Sequence, residues 1–221
     1  MRSSRSLAAV AALALLAGSA CAQTLDKLQL HKVRAAAADY RGSQAIHITQ
    51  AADAQGEDTF AIVNGSDLLD GVIEADVAGA PAPGAPGAFA DARGFIGIAF
   101  RVQPNAAKYE LIYLRPTNGR AEDQLRRNHS TQYVSFPDWP WARTRQETPG
   151  LYESYTDLEP GVWTKVKIVL AGAKARLYVQ GAEQPCLLVN DLKLPPAKGA
   201  AGLWVGPGTD GYFANLRVTP D

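Results

Sequence analysis

Past residue 22 the chain alternates. Apolar and polar positions trade places at every second residue in short stretches, punctuated by Gly, Pro, Asn and Asp. A period of two puts successive side chains on opposite faces of a pleated strand, so each stretch reads as one strand. The pattern predicts strands at 45–49, 59–63, 72–77, 95–102, 109–114, 131–135, 152–157, 162–170, 175–180, 187–189, 202–205 and 212–218. Turn pairs fall between them, including Asn64-Gly65, Asp70-Gly71, Asn118-Gly119, Pro160-Gly161 and Asp210-Gly211. Helical periodicity is scarce, and the spacing is that of an all-β sandwich or barrel.

Residues 162–180 hold the clearest hairpin. Val162, Thr164, Val166, Ile168 and Leu170 share one face, and Trp163, Lys165 and Lys167 share the other. After the turn, Ala175, Leu177 and Val179 alternate with Arg176, Tyr178 and Gln180. Such a hairpin packs one face on a core and turns the other to water or ligand. Two segments break the rhythm. Residues 78–90 carry three Pro and three Gly among alanines and read as a long loop. Residues 115–149 are polar, aromatic and rich in arginine, and long loops in compact domains tend to be functional.

The first 22 residues follow a different logic. Arg2 and Arg5 precede an apolar run, and Ala20 and Ala22 form a small-x-small cleavage site. This predicts a secretory signal at 1–22 and a single domain at 23–221, periplasmic or secreted. The run falls short of the roughly 20 apolar residues of a membrane span. Cys21 offers an alternative, a lipid anchor, although Gly18 stands where lipoprotein signals usually carry Leu. With Cys21 removed, Cys186 has no partner for a disulfide within the chain, so the core must hold the fold. The chain has 22 basic and 22 acidic residues, which excludes the basic excess of a nucleic-acid binder.

Several segments resemble the concanavalin A-like lectin/glucanase jelly rolls, particularly laminin G-like and 3-keto-disaccharide hydrolase-like bacterial domains. They are Asp70-Gly71-Val72-Ile73-Glu74-Ala75-Asp76-Val77; Gly97-Ile98-Ala99-Phe100-Arg101 with Tyr109-Glu110; Gly161-Val162-Trp163-Thr164-Lys165-Val166-Lys167-Ile168 with Ala175-Arg176-Leu177-Tyr178-Val179; and Gly202-Leu203-Trp204-Val205 with Tyr212-Phe213-Ala214-Asn215-Leu216. The resemblance implies a two-sheet antiparallel jelly-roll sandwich. It leaves function open, because that fold hosts lectins, hydrolases, lyases and adhesion modules. It implies no cofactor, although a structural calcium is compatible with it.

Glu74 and Asp76 share a strand face, as a glycosidase pair would. The glucanases of this fold carry a third acid two residues on, where this chain has Ala78. Structural pairing with arginines is the alternative for both. Residues 115–145 hold six arginines, no lysine, and Tyr133, Phe136, Trp139 and Trp141. The planar guanidinium suits carboxylate and sulfate, and aromatic faces stack on sugars, so the segment points to an oligo- or polysaccharide, an acidic one included. The competing reading is structural: Glu122–Arg126 and Asp123–Arg127 have helical bracing spacing, and Trp139 and Trp141 would make a small loop core. His129 is the candidate for proton transfer, with Tyr113, Tyr133 or Glu153 as partner. No pair of histidines has metal-ligand spacing.

Alternation also predicts faces. Ile96, Ile98, Phe100 and Val102 point to the core, so Arg101 faces the concave side with Tyr113 and Arg115. Glu110 falls on the core side, where a charge needs an edge or an arginine. The expected function is carbohydrate binding through Arg101, Tyr113, Arg115, Arg126, Arg127, Trp139 and Trp141, with His129 and Tyr133 as catalytic candidates if the chain is a hydrolase or lyase. A non-catalytic adhesion or assembly module is the third reading.

Overall fold

A computed structural model describes residues 25–54, 56, 58–84 and 92–221. The predicted secretory signal, Cys21 and residues 85–90 of the predicted loop lie outside the described residues, and residues 78–81 of that loop belong to a strand. In chain order the strands are β1 (Leu28–His31), β2 (Val33–Tyr40), β3 (Ser43–Gln50), β4 (Phe60–Val63), β5 (Gly71–Pro81), β6 (Ile96–Val102), β7 (Tyr109–Leu114), β8 (Thr131–Phe136), β9 (Glu153–Ser154), β10 (Thr164–Ala171), β11 (Lys174–Val179), β12 (Leu187–Val189), β13 (Ala200–Val205) and β14 (Thr209–Pro220). Helices α1 (Gln124–Asn128) and α2 (Trp141–Glu147) flank β8 in the sequence. No helix among the described residues is long and apolar enough to cross a membrane.

The strands form two antiparallel seven-stranded sheets. One runs β1-β4-β13-β6-β7-β8-β9 and the other β12-β11-β10-β5-β14-β3-β2. Each predicted strand has a counterpart, but β1 and β2 were not expected. The reason for β2 is compositional: Ala35 to Ala38 lack β-branches and favour helix. Pairing along β3, from Val33↔Gln50 to Tyr40↔Ser43, overrides that preference.

The core lies between the sheets. Ile73, Ala75 and Val77 of β5 and Val166, Ile168 and Leu170 of β10 meet Ile96, Ile98, Phe100, Leu203 and Val205 from the other sheet. Each fully buried Leu or Ile contributes roughly 1.5–3 kcal/mol. The β6-containing sheet is apolar on its outer face as well, where Phe60, Leu111, Tyr109, Tyr113, Val134 and Trp204 form a second cluster. Gly97 sits at its middle, paired with Trp204 on one side and Tyr113 on the other. A Cβ there would lie 2.4 Å from the Ile112 carbonyl oxygen, so only glycine lets these strands approach. The two rings close over the gap with centroids 4.9 Å apart.

A bulge in β6 corrects the predicted phase. The register shifts from Gly202↔Ala99 to Ala200↔Val102, and Arg101 takes a φ of 50°. The extra residue turns Val102 to the outer cluster and Arg101 inward. Arg101 is 1% exposed. It donates from Nε to the Leu69 carbonyl (2.8 Å) and from Nη2 to Asp70 Oδ1 (3.1 Å) and the Gly172 carbonyl (2.7 Å). It is a structural clamp, withdrawn from any ligand.

Glu110 does lie on the core side. The Tyr133 hydroxyl (2.6 Å) and the Leu194 amide (2.9 Å) donate to its carboxylate. Burial raises its pKa against the opposing pull of those hydrogen bonds and the Arg101 charge. Tyr133 is therefore also a core residue, fully buried, with its own pKa driven up by burial and by Glu110. It cannot reach a ligand in the cleft described below, which removes it as a catalytic partner.

Candidate functional site

At one end of the outer apolar cluster the chain opens a cleft of about 740 Å³. Tyr113 and Arg115, at the end of β7, lie on its floor. Leu125, Arg126 and His129 come from α1 and its C-terminal cap, and Trp141 and Arg145 from α2. Arg93, Phe95 and Pro207 complete the rim with Asn118 and Asp123. A second chamber of about 540 Å³ shares Leu125, His129 and Arg145 with the first and extends past Glu153, Ser154 and Tyr155. Both volumes lie within the usual range for ligand sites, roughly 300–1,000 Å³.

The floor is held by a buried ion-pair network. Arg115, 5% exposed, donates to Glu153 Oε1 (3.0 Å), the His129 carbonyl (3.0 Å), the Tyr113 hydroxyl (2.9 Å) and Gln132. Gln132 in turn donates to Thr144 Oγ1 at 3.0 Å, tying the floor to α2. Arg145 also pairs with Glu153, and His129 Nε2 lies 3.5 Å from Glu153 Oε2. Burial alone would raise the Glu153 pKa. The Arg145 hydrogen bond and the charges of Arg115, Arg145 and His129 outweigh it and hold the carboxyl below its ordinary value. Desolvation lowers the His129 pKa, Glu153 partly opposes it, and Arg145 and Arg115 reinforce it. The imidazole is therefore neutral near pH 7 and can accept a proton or a hydrogen bond.

The walls are braced differently from the sequence expectation. Asp123 caps α1 by accepting from the Arg126 amide at 2.7 Å. The Arg126 side chain reaches back to Asn118 Oδ1 (3.0 Å) and to the Thr117 carbonyl and hydroxyl (3.2 Å each). Arg127 leaves the cleft, stacks on Tyr155 at 5.1 Å and donates to its hydroxyl. Trp139 also lies apart, held between Arg143 (4.1 Å) and Lys193 (4.3 Å). Trp141 is 40% exposed at the rim, with the Arg145 guanidinium 5.4 Å from its ring centre.

Of the residues expected to bind or react, Tyr113, Arg115, Arg126, His129 and Trp141 come together. Arg101, Arg127, Tyr133 and Trp139 do not. Gln132, Arg93, Phe95 and Arg145 join from outside the expected set, as does Glu153, named beforehand only as a partner for His129. Their shared signal is weak in sequence, because they come from four separate segments. Among the described residues no group of three His, Cys, Asp or Glu side chains is placed to hold a metal ion. Glu74 and Asp76 lie far from this network on the outer face of the other sheet, paired with Arg217 at 3.7 Å and Lys165 at 3.2 Å. Glu74 thus has the expected arginine partner, whereas Asp76 pairs with a lysine.

No family model matches the chain, and no curated protein sequence matches it. Solved structures do. A carbohydrate-binding module of Bacillus subtilis, CBM66, aligns at a TM-score of 0.51 and 15% identity, over 85% of this chain and 94% of that one. The cellulose-induced protein Cip1 aligns at 0.50 and 9% identity, over 89% and 93%. Identity this low speaks for the fold alone. The chain is a two-sheet antiparallel jelly-roll sandwich of the concanavalin A-like fold.

Proposed function

We propose that the chain binds an acidic oligo- or polysaccharide in the α1–α2 cleft. One observation carries this reading. Arg93, Arg115, Arg126 and Arg145 line the cleft beside Trp141, Phe95 and Leu125, with Asp123 the one acid on its lining among the described residues. Guanidinium forks suit carboxylate or sulfate groups, and the apolar wall suits the C–H face of a sugar ring. Arg115 and Glu153 satisfy each other, so their task is to hold the floor in place. Arg145, Arg126 and Trp141 make the contacts. The N-terminal signal pattern supports an exported protein that meets such polymers outside the cytoplasm.

Calorimetric titration with polygalacturonate- and alginate-derived hexamers tests this. Binding should weaken at least tenfold in Arg126→Ala and Trp141→Ala and should fall with added salt. Binding of neither hexamer by the wild type would overturn it. The neutral imidazole of His129 favours a second reading, cleavage of the bound uronate chain. His129 would take the C5 proton beside the carboxylate while an arginine offsets the charge there; the C4–O bond then breaks as the C4=C5 double bond forms, and the same proton passes from His129 to the leaving oxygen. Full production of unsaturated ends by His129→Ala would remove that role.

A further inference from the structure

The opposite side of the molecule carries a different kind of groove. Its volume is about 540 Å³, and it crosses the outer face of β11, β10, β5 and β14. Strand pairing sets Tyr178, Lys167, Glu74 and Arg217 side by side in one row, and Lys165 beside Asp76 in the next. Evenly paired β-strands would present these side chains as a level, solvated face. Here the pairing breaks: β14 shifts register against β5 between Ala214 and Arg217, and Asn215 takes a φ of 53°. The bulge aims Asn215 into the groove, where its amide donates to Asp76 Oδ2 at 2.6 Å. Gly181 and Ala182 form the far wall.

We propose that this groove is a second carbohydrate site, one that takes neutral glycans. Its chemistry is complementary to that of the cleft. Asp76 and Glu74 accept from sugar hydroxyls, and Lys165 and Asn215 donate to them. The Tyr178 ring, backed by Lys167 at 4.4 Å, supplies an aromatic surface. Of the three cations, two are offset by carboxylates a strand away, with Lys165 3.2 Å from Asp76 and Arg217 3.7 Å from Glu74, and Lys167 lies over the Tyr178 ring. A neutral sugar exchanges hydrogen bonds with such pairs and brings no charge that must be desolvated or repelled. With sites on the outward faces of both sheets, one molecule can bridge an acidic and a neutral chain.

The test titrates the full chain with cellohexaose, xylohexaose, mannohexaose and laminarihexaose, following both heat and amide chemical shifts. At least one hexaose should bind, moving the amides of Asp76, Tyr178 and Asn215. Tyr178→Ala and Asp76→Ala, each confirmed folded by its melting curve, should weaken that binding tenfold or more. Their affinity for polygalacturonate hexamer should stay as in the wild type. Failure of all four to bind, shifts confined to Tyr113 and His129, or wild-type affinity in both variants would each overturn the second site. None of these outcomes bears on uronate binding in the cleft, so the two readings fail separately.

Discussion

Replacing Glu153 by glutamine keeps the shape of the cleft floor and removes its central charge. Glu153 is the carboxylate against which Arg115, Arg145 and His129 all rest. Arg115 then stays buried with three neutral acceptors, the His129 carbonyl, the Tyr113 hydroxyl and Gln132. Breaking a buried pair by removing one partner costs about 3–5 kcal/mol. The surviving acceptors put this case near the lower end, about 3 kcal/mol. For a chain of this size that lowers the melting temperature by roughly 6–12 °C. Urea unfolding should show the same loss as a lower midpoint with an unchanged slope. His129 loses the charge that props up its pKa, so its titration by NMR should move further down. The double variant Arg115→Met/Glu153→Leu should cost less than its two single changes together. A Glu153→Gln protein that melts within about 2 °C of the wild type, with His129 titrating as before, would refute this account of the floor.

Three further outcomes follow from the same geometry. Stability should fall on acidification in two stages. The lowered His129 pKa makes its contribution fade as pH drops below its unfolded value near ~6.5, and that of Glu153 is lost below ~4.3 as its own lowered pKa is approached; chemical denaturation across pH 3–8 measures both. Gly97→Ala should destabilise by about 1–3 kcal/mol and change the fluorescence of Trp204, since the new methyl meets the Ile112 carbonyl and Tyr113. Arg101→Met should cost about 1–3 kcal/mol in unfolding while leaving uronate affinity unchanged, because its partners Leu69, Asp70 and Gly172 are all structural.

Period-two alternation made the strands and most of the core readable in advance. It placed Tyr113 and Arg115 together on one face, and that is where they lie. It failed where the physics was not local. Nothing in Ala99-Phe100-Arg101-Val102 announces a bulge, so Arg101 was placed on the wrong side. Tyr133 was misjudged because β8 serves a sheet that is apolar on both faces. When Val134 and Tyr133 are both buried, hydrophobicity no longer says which side is inside. Glu153 and Gln132 become central only once β9 and β8 pair as Gln132↔Glu153. The arginine run misled in part, since Arg127 and Arg143 spend their charge stacking on Tyr155 and Trp139.

The doubly apolar sheet also divides the cleft into parts with different lifetimes. Its floor, on β7 and β8, is buried from above and below, so those amides should exchange with solvent only when the whole molecule unfolds. The walls are helices of five and seven residues, α1 without a single buried side chain and α2 with only Thr144. Their amides should exchange sooner than those of the floor, with α2 held to it through Thr144–Gln132 and Arg145–Glu153. A bound sugar would thus meet a fixed arrangement of charge beneath walls that exchange sooner.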